Sequence, residues 1–524
     1  MTPTPEQEAI IAALSGSTPP DCLIISAGPG CAKTTTIAMA IRALPTARYT
    51  SIQCTAFNKE AVASLASKIP QIVPCSTLNS IGLRIWTRHL GVEANIKLEP
   101  FKTKDIIQAI QDEGGRWSIL PEELDDLLVL VTMAKSQGWL PRASGSGYRS
   151  FCDFKTICLL GDVHPEPHYE SLLGEILTRS IKRAFRGRID FDDQCYMAAL
   201  FAGAESFPAS SYLFVDEAQD LTPLQLLMLR RLRAKTICLI GDPLQAIYAF
   251  RGAMSDSFDN INRSWPDALH LPLQTSFRTP LAVLELLQKH NPALRTAKAE
   301  LGTVITCTGT YTIIQMLNAL HSGNSGTRAI LCRNNAPLFR MALACIASGI
   351  RFRLGNVAFG QGLIRDIKRA TGSPRTFAAA SLANTLHTYW AKPDLTMAQR
   401  AVIADKLTAI DTIAERCDSA QQVIDAISRL VAQTNNSDSA PVLFLSTAHR
   451  AKGLEFDWVL HLDPQLIPAF YASSPEELAQ EANIAYVINS RTRHTLVFAT
   501  SDQILIGPAS GAGRRPNIKQ RQPL

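Results

Sequence analysis

The stretch CLIISAGPGCAKTTTIAMAIRAL, residues 22–44, carries the pattern that decides the fold. Its apolar start, CLII, is typical of a buried strand, and its end, IAMAIRAL, has the apolar spacing of a helix. A Gly-rich loop joins the two, and Lys33 and Thr34 stand where the helix is expected to begin. A strand, a Gly-rich loop and Lys-Thr in this order predict a loop that cradles phosphate.

The chemistry of such a loop depends mainly on its backbone. Its N–H groups and the positive end of the helix would surround the phosphates, Lys33 would reach the β- and γ-phosphates, and the Thr34 hydroxyl would bind Mg²⁺. Ala27 and Ala32 occupy places where the usual pattern has glycine, and a Cβ at position 32 restricts the loop. Taken alone, the stretch also fits a strand-to-helix turn without a ligand. The predicted nucleotide-binding positions are Ala27, Gly28, Pro29, Gly30, Cys31, Ala32, Lys33, Thr34 and Thr35.

Similar apolar runs, each followed by turn residues and a helical pattern, recur along the chain. Their composition, rich in Ile, Val and Leu, predicts parallel sheets with helices on both faces. One group lies before about residue 270 and one after it, so we predict an α/β protein with two lobes, in keeping with a length of 524 residues. Two helix-rich stretches, roughly 89–186 and 372–440, are predicted insertions. The further runs are residues 49–57, 212–218, 235–242, 328–333, 441–447 and 495–500.

Composition narrows the class of protein. A formal net charge of +6 permits a polyanion partner without demonstrating one. The N-terminus lacks the pattern of a signal peptide, and no run of about 18 apolar residues occurs, so we expect a cytoplasmic protein, nucleoid-associated if bacterial, with no membrane partner. None of the 12 cysteines forms a C-x-x-C pair. Reduced, buried thiols are predicted for those in apolar runs, namely Cys22, Cys54, Cys238 and Cys332.

An acidic motif, VDEAQD at residues 215–220, ends another apolar run. Two adjacent carboxylates at a strand end, downstream of a phosphate loop, suit phosphoryl transfer. Asp216 would hold Mg²⁺, and Glu217 would orient and deprotonate the attacking water. A solvated loop is the alternative for an isolated Asp-Glu pair.

The next run ends in GDPLQAIYAFRGA, residues 241–253, and here the chain resembles a known family. The UvrD/PcrA/Rep class of superfamily 1 helicases has the pattern GDxxQxIYxFRGA, and DEAQD has that family's DExQD form. Other segments resemble its remaining motifs, so the resemblance spans nearly the whole chain except the insertions and the tail. They are TPEQEAII (4–11), CTAFNKEAVASL (54–65), CSTLNSIGLRIW (75–86), RIDFDD (188–193), LQTSFRTP (273–280), AILCRNN (329–335), STAHRAKGLEFDWV (446–459) and QEANIAYVINSRTRHTLVF (480–498).

The resemblance implies two RecA-like parallel-sheet lobes, 1A and 2A, with helical insertions 1B and a reduced 2B. Insertion 2B, at residues 372–440, is much shorter than in the larger relatives. We expect the remaining bounds to be 1–88 and 187–270 for lobe 1A, 89–186 for 1B, 271–371 and 441–506 for lobe 2A, and 507–524 for a flexible basic tail.

Family roles, carried over position by position, imply an ATP site between the lobes. Gln7 would read the adenine edge, and Phe277 would stack on the ring. Glu455, beside Gly453, would contact the ribose.

The same resemblance implies a set of catalytic residues. Lys33 and Glu217 would act on phosphate and water, and Gln245 would sense the γ-phosphate. Arg278 and Arg491 would act as arginine fingers that stabilise charge in the transition state. Because these arginines complete the site only when the cleft closes, hydrolysis would be coupled to motion.

Nucleic acid is expected to cross both lobes. Tyr248 and Phe250 would stack on bases, at roughly 1–3 kcal/mol per base. Plain core packing is the alternative for both, and for Phe57 it is as well supported as a nucleic-acid contact. Trp86 and Trp139 match no contact motif and are predicted core residues. The full predicted nucleic-acid set is Phe57, Asn58, Lys59, Thr77, Asn79, Tyr248, Phe250, Arg333 and His449.

Some positions depart from the family pattern. Ala56 stands where the family commonly has an aromatic residue, and Asn79 where it often has histidine. The usual Ala-x-Thr-Arg-Ala of the last motif is INSRT at residues 488–492, which keeps Arg491. With so short a 2B insertion, strand separation is expected to be weak or partner-dependent.

The sequence therefore predicts an ATP- and Mg²⁺-dependent helicase that moves along single-stranded DNA, with 3′–5′ polarity by resemblance, and acts at single-strand/duplex junctions. One alternative is a motor subunit that works with a partner, such as a nuclease or a replication or repair factor. Another is a nucleotide-gated DNA-sensing subunit with little turnover, for which Ala32 would be the cause. An RNA substrate is also open, because stacking does not distinguish the sugar.

Overall fold

The computed structural model describes residues 2–56, 58–91, 95–120, 123–141, 149–161, 163, 165–247, 257–319, 326–391, 395–432, 443–505 and 519–520. The chain divides into two compact units, Met1–Thr275 and Ser276–Leu524. Each unit is built around its own sheet.

The first unit begins with the strand, loop and helix expected from its sequence. Its elements in chain order are α1 (Pro5–Ser15), β1 (Cys22–Ala27), α2 (Lys33–Ala43), β2 (Ile52–Thr55), α3 (Lys59–Ala66), β3 (Cys75–Ser76), α4 (Leu78–Leu90), β4 (Lys97–Leu98), α5 (Lys102–Glu113), α6 (Glu123–Gln137), α7 (Phe154–Gly161), α8 (Tyr169–Phe185), β5 (Arg188–Ile189), α9 (Asp193–Phe201), β6 (Ala209–Val215), α10 (Pro223–Arg231), β7 (Arg233–Gly241), α11 (Ser257–Ser264) and β8 (Leu269–Leu273).

Six strands form the sheet of the first unit, in the order β3-β2-β6-β7-β1-β8. Every neighbouring pair is parallel, and the register places Ile24 of β1 beside Leu239 of β7. The inner strands β1, β2, β6 and β7 are largely buried, as continuous apolar runs in a parallel sheet require.

The predicted insertion at 89–186 contains β4 and α5 to α8 and has a hydrophobic cluster of its own. That cluster contains only residues between 106 and 177, among them Ile106, Leu130 and Leu173. A buried ionic network joins it to the segment before α9. Lys135 lies 2.8 Å from Asp190 and from Asp193, and Lys102 bonds Asp193 and the Ser180 carbonyl.

The second unit contains the rest of the chain, and the boundary falls within β9 (Thr275–Ser276). The elements that follow are α12 (Leu281–Gln288), β10 (Arg295–Thr296), β11 (Thr303–Thr306), β12 (Tyr311–Thr312), α13 (Ile313–Ala319), β13 (Arg328–Cys332), α14 (Ala336–Ala347), β14 (Phe352–Leu354), α15 (Val357–Thr371), α16 (Leu382–Trp390), α17 (Met397–Ala414), α18 (Ala420–Ala432), β15 (Leu443–Thr447), α19 (Ala448–Ala451), β16 (Phe456–Leu462), α20 (Pro475–Asn489), β17 (Thr492–Ala499), β18 (Ile504–Leu505) and β19 (Lys519–Gln520).

Its sheet has the order β14-β15-β13-β16-β17-β11-β19, and all its pairs are parallel except β11 with β19. The prediction of two parallel-sheet α/β lobes is therefore confirmed. The strand β19 (Lys519–Gln520) lies in the stretch 507–524 that is predicted to be a flexible tail. The other residues of that stretch lie outside the described part of the chain.

The helices within 372–440 share one hydrophobic core with the second sheet. Leu386 on α16, Ile410 on α17 and Ile427 on α18 belong to the same buried cluster as Ile330 on β13 and Phe339 on α14. Asp405 of α17 also accepts the backbone N–H groups of Asn335 and Ala336, at the start of α14. This stretch is thus a helical layer of the second unit, whereas 89–186 has a cluster of its own and joins the core of the first sheet only through Leu140, Ile181 and Ala184 among its buried apolar residues.

Several smaller predictions are confirmed. Cys22, Cys54, Cys238 and Cys332 are buried, free thiols. Trp86 and Trp139 are 0% and 8% exposed and belong to hydrophobic clusters. Among the described residues, no helix combines the length and apolarity that crossing a membrane requires.

Candidate nucleotide-binding site

The Gly-rich loop joins β1 to α2 with two residues in the left-handed backbone region. Gly30 has φ +70°, and Ala32 has φ +59° and ψ +38°. Ala32 is the N-cap of α2, so Lys33 is the first residue of the helix and its backbone follows directly from that turn. Left-handed backbone costs an alanine roughly 1–2 kcal/mol, a cost that glycine avoids.

Two side-chain contacts connect the loop to the acidic motif. Lys33 Nζ lies 3.4 Å from Glu217 Oε2, and the Thr34 hydroxyl donates to Asp216 Oδ2 at 3.0 Å. Glu217 has a left-handed backbone, φ +56°, and its N–H donates to Asp216 Oδ1. Strained backbone of this kind is concentrated at functional sites. The structure therefore brings together the four residues predicted to handle phosphate, Mg²⁺ and water.

Strand order explains how distant motifs meet. Lys33 follows β1, Asp216 follows β6 and Gln245 follows β7, and these strands are neighbours in the order β6-β7-β1. Because the strands are parallel, their carboxyl ends lie at one edge of the sheet, where ligands of open α/β sheets bind.

A chain of hydrogen bonds extends from Glu217 to Gln245. Gln219 Nε2 donates to Glu217 Oε2 at 2.6 Å, and Gln219 Oε1 accepts the Asp242 N–H at 3.0 Å. Asp242 Oδ2 then accepts from Gln245 Nε2 at 2.7 Å. A Cβ at Gly241 would lie 2.4 Å from Gln219 Oε1, so only glycine fits beside this amide.

The roles of Gln219 and Asp242 were not predicted from the sequence. Both lie inside quoted motifs, DEAQD and GDPLQ, but neither side chain has an obvious task when the motif is read alone. They enter the site because β6 and β7 are neighbours in the sheet. The order of the strands along the chain does not reveal that adjacency.

Burial and neighbouring charge shape the acidity of the site. Burial and the Glu217 carboxylate raise the pKa of Asp216 to about 6, against the opposing effects of Lys33 and Thr34. Burial likewise raises the pKa of Asp242. Carboxylates that are crowded and buried in this way are stabilised in their charged form by a cation.

The oxygens of Thr34 and Asp216 fit Mg²⁺. Magnesium prefers hard oxygen ligands and typically uses one or two carboxylates together with substrate phosphates. A hydroxyl and a carboxylate 3.0 Å apart at the start of a helix provide such a pair. Within the described ranges no group of three or more His, Cys, Asp or Glu side chains is placed so that it could hold a metal ion. Phosphate oxygens and water would therefore complete the coordination shell.

Gln7 lies on α1, close to α2, the helix that follows the Gly-rich loop. Its side chain is fully buried, donates to Thr36 Oγ1 at 2.9 Å and accepts the Thr4 N–H at 3.0 Å. Thr36 in turn donates to the carbonyl of Ala32. The predicted adenine reader is thus bonded to α2 one turn beyond the loop, and both ends of its amide have protein partners.

In the second unit, two residues predicted to touch nucleotide contact each other. Arg278 Nη1 lies 2.6 Å from Glu455 Oε1, and Arg493 bonds the other carboxylate oxygen at 2.9 Å. Burial alone would raise the pKa of Glu455, but the two guanidinium groups lower it to about 2. Arg278 Nε and Nη2 are buried and have no hydrogen-bond partner among the described residues. Such unpaired donors are costly and favour an additional acceptor.

Arg491 is 2% exposed and lies just after α20. Its guanidinium donates to the Val487 carbonyl and the Ser490 hydroxyl, and its Nη1 is 3.5 Å from the Leu454 carbonyl. Because Leu454 precedes Glu455, the predicted second-lobe nucleotide residues form one cluster at the amino ends of β16 and β17. Half-buried Phe277 precedes Arg278, and Gly453, with φ +82°, precedes Leu454.

Four of the predicted nucleic-acid residues of the first unit lie at helix starts after β2 and β3. Asn58 and Thr77 cap α3 and α4 with their side chains, and exposed Lys59 is the first residue of α3. Asn79 donates to the Phe191 carbonyl and accepts from Cys195 Sγ, so its side chain has two protein partners. Phe57, Tyr248 and Phe250 lie outside the described residues.

In the second unit, Arg333 and His449 follow β13 and β15, at the carboxyl edge of the sheet. Arg333 forms a bidentate pair with Glu481, at 2.6 and 2.7 Å, and bonds the Tyr471 hydroxyl at 2.8 Å. The two predicted sets thus occupy opposite edges in this unit, since the Arg278 cluster lies at the amino ends of its strands.

A phosphate-type loop and an acidic strand end at one edge of a parallel sheet define a class of nucleotide-dependent α/β proteins. Comparison with known proteins narrows this class. A family model described as an AAA domain matches residues 7–251, and a model of the UvrD-like helicase C-terminal domain matches residues 398–503. The chain belongs to the UvrD-like superfamily 1 helicases.

Individual relatives agree with this assignment. The chain is 33% identical over 106 residues to a probable DNA helicase II homolog of Mycoplasma capricolum, covering 19% of this chain and 15% of that protein. It is 25% identical over 316 residues to F-box DNA helicase protein 1 of Schizosaccharomyces pombe, covering 56% and 34%. It is 22% identical over 284 residues to the ATP-dependent DNA helicase PcrA of Bacillus subtilis, covering 50% and 36%. The matches therefore span only about a third or less of these relatives.

Proposed function

We propose that the protein is an ATP-driven DNA helicase or translocase, which hydrolyses ATP with Mg²⁺ and moves along single-stranded DNA. One observation carries the proposal: Lys33, Thr34, Asp216 and Glu217 meet at one edge of a parallel sheet. The printed names of the relatives, several of them DNA helicases, support DNA as the polymer.

The chemistry proposed for this edge assigns one task to each side chain. Lys33 exchanges Glu217 for the β- and γ-phosphates, because a phosphate carries more charge than one carboxylate. The released Glu217 carboxylate then orients a water and accepts its proton. Thr34 and Asp216 hold Mg²⁺, which neutralises charge on the phosphate oxygens. Gln245, held by Asp242, senses the γ-phosphate.

The second unit supplies the remaining groups in this proposal. Arg278 and Arg491 act as arginine fingers, Phe277 stacks on adenine beside Gln7, and Glu455 next to Gly453 binds the ribose. For Arg278 the support is that two of its buried guanidinium nitrogens have no partner in the described part of the chain, and an oxygen-rich ligand would satisfy them. Closure and opening of the site with each ATP cycle would drive a step along the strand.

The nucleic-acid path is proposed along the predicted contact residues, with stacking by Tyr248 and Phe250. The proposed organisation keeps 1–88 and 187–270 as the lobe 1A, 89–186 as 1B, 271–371 and 441–506 as lobe 2A, and 372–440 as the reduced 2B. The polarity proposed is 3′–5′, and single-strand/duplex junctions are the proposed loading sites.

Phosphate release measured with and without single-stranded DNA, and with RNA, tests the proposal directly. We expect strong stimulation by DNA and loss of turnover in Lys33→Ala without loss of the fold, as checked by circular dichroism. Unchanged turnover in Lys33→Ala, or no stimulation of the wild-type protein, contradicts it. Stimulation by RNA alone would change the substrate class.

A motor subunit that acts with a partner, such as a nuclease, is a second candidate. The observation in its favour is that α16, α17 and α18 share the core of the second unit and so do not form a separate subdomain with a core of its own. Robust strand release from a tailed duplex by the chain alone excludes partner dependence. A nucleotide-gated sensor, favoured only by the left-handed Ala32, would bind ATP tightly with no stimulated turnover.

A further inference from the structure

Glu6 is not among the residues that the sequence assigns to the site, yet its carboxylate contacts the chain next to the phosphate loop. A single oxygen, Glu6 Oε2, accepts two successive backbone N–H groups, from Gln274 at 2.9 Å and from Thr275 at 3.1 Å. Gln274 follows β8 directly, where the chain leaves the edge of the six-stranded sheet, and Thr275 begins β9, which pairs with β10 instead.

The same short segment is bonded both to the end of β1 and to the start of the phosphate loop. Gly28, the first loop residue after β1, donates its N–H to the Leu273 carbonyl at 2.9 Å. Gln274 Nε2 donates to the Ser26 carbonyl at 3.0 Å. Residues 273–275 thus line one flank of the loop, and Glu6 fixes them from the other side.

The opposite flank of the loop is held by the neighbouring residue of the same helix. Gln7 donates to Thr36, and Thr36 donates to the Ala32 carbonyl at the end of the loop. The first turn of α1 therefore bonds both flanks, with Glu6 on the β8 side and Gln7 on the α2 side. A capping box between Thr4 and Gln7 fixes this turn.

We propose that Glu6 is a positioning residue of the nucleotide site, which holds the exit of β8 so that the phosphate loop keeps its binding geometry. This inference rests on the proposed function only for its kinetic consequence; the contacts lie entirely within the first unit. Without the carboxylate, two backbone N–H groups lose their acceptor, and an unmade hydrogen bond of this kind costs more than its net contribution when formed.

A competing view makes the opposite prediction. A carboxylate beside a phosphate site repels the ligand, so if Glu6 acted mainly through its charge, removing it would tighten nucleotide binding. If it positions the loop, removing it weakens binding. Glu6→Gln separates charge from shape, because the amide oxygen can still accept the two N–H groups.

The experiment compares Glu6→Ala, Glu6→Gln and Glu8→Ala, an exposed acid on the same helix. Two measurements are made on the full chain: amide hydrogen exchange of the peptide covering 272–279, and the Kd of a fluorescent ADP. For Glu6→Ala we expect faster exchange and affinity weakened about 10-fold, as the loss of one to two hydrogen bonds implies. The Kd of Glu6→Gln for ADP should lie within about threefold of the wild-type value. Glu8→Ala should match the wild-type protein in both measurements.

Unchanged exchange in Glu6→Ala, or tighter ADP binding in either Glu6 variant, overturns the inference. If Glu6→Ala does not fold, Glu6→Gln still decides, since tighter binding by it contradicts positioning and preserved binding with preserved exchange supports it. The kinetic arm adds kcat and KM of strand-stimulated hydrolysis, for which a rise in KM is expected in Glu6→Ala. A wild-type protein without stimulated turnover refutes the proposed motor and leaves the exchange and binding measurements as the test of Glu6.

Discussion

Lys33 Nζ lies 3.4 Å from Glu217 Oε2, so the residue proposed to bind phosphate is paired with the residue proposed to activate water. The pair is partly exposed, at 12% and 29% of the side chains, and both groups belong to a larger set of contacts. An incoming triphosphate competes with Glu217 for Lys33. Binding of the nucleotide and release of the Glu217 carboxylate from Lys33 would then be one event. Hydrolysis would thereby be limited to the site with nucleotide bound.

Glu217→Gln tests this exchange. The amide cannot accept the proton of water, so we expect hydrolysis to fall by about 10²–10⁴-fold, the usual range for loss of a general base. Nucleotide affinity should hold or rise slightly, because Lys33 no longer has a carboxylate as competitor. Phosphate release and fluorescent ADP binding measure the two effects, with Glu8→Gln as the control. Equal loss of binding and turnover would count against the assigned role.

Ala32→Gly tests the strained loop. Ala32 has φ +59°, at a place where glycine relieves roughly 1–2 kcal/mol of backbone strain but adds up to about 1 kcal/mol of chain entropy. We expect a small net stabilisation, below about 1 kcal/mol, and faster or equal turnover. Thermal unfolding provides the measurement. Ala38→Gly, in the interior of α2, is the matched control and should destabilise the protein by about 1 kcal/mol or more. Destabilisation by both variants would mean that position 32 carries no relievable strain.

Phe250→Ala tests the proposed stacking on bases. Phe250 follows Gln245, the proposed γ-phosphate sensor. We therefore expect a larger loss of strand-stimulated than of basal ATP hydrolysis, since stacking contributes roughly 1–3 kcal/mol per base. Both rates are measured over a titration of single-stranded DNA. The control is Phe185→Ala, which removes a partly exposed ring at the end of α8. An equal loss of both rates in Phe250→Ala would identify the ring as a core residue.

His461 provides a pH-dependent prediction. Burial lowers its pKa from the ordinary 6.5 to about 4, against the opposing effect of its contact with Asn489. Above pH 6.5 the ring is neutral in both states and has no effect. Between pH 6.5 and 4 only the unfolded state takes up the proton, so the free energy of unfolding falls as pH falls, by at most about 1.4 kcal/mol per pH unit.

Urea unfolding at pH 7.5, 6.0 and 5.0 measures this slope against His461→Gln. The variant lacks the titrating ring, and its free energy of unfolding should fall less steeply than that of the wild-type protein over the same range. Parallel pH profiles for the two proteins would show that His461 does not contribute.

Sequence reasoning predicted the two parallel sheets well, because each buried strand is a continuous apolar run such as CLII or TICLI. Such a run can be recognised from the local sequence, without knowing which strand lies beside it. It identified Lys33 and Asp216 because their motifs are local. It could not find Glu6, Gln219 or Asp242 as site residues, since their contacts depend on which strands are neighbours. Periodicity also cannot tell whether a helical stretch buries its apolar face within itself, as 89–186 does, or against a sheet.

The difference between those two stretches has a mechanical consequence. Ile410 and Ile427 belong to the same hydrophobic core as Ile330. Detachment of α17 and α18 would therefore expose the core of the second unit to solvent. We therefore expect the second unit to melt in a single step and to tolerate no deletion of these helices. Helices α5 to α8, by contrast, pack mostly on their own cluster and join the core of the first unit through Ile181 and Ala184 of α8 and the buried Lys135–Asp193 pair, so a cavity made within that cluster should destabilise these helices more than the first sheet.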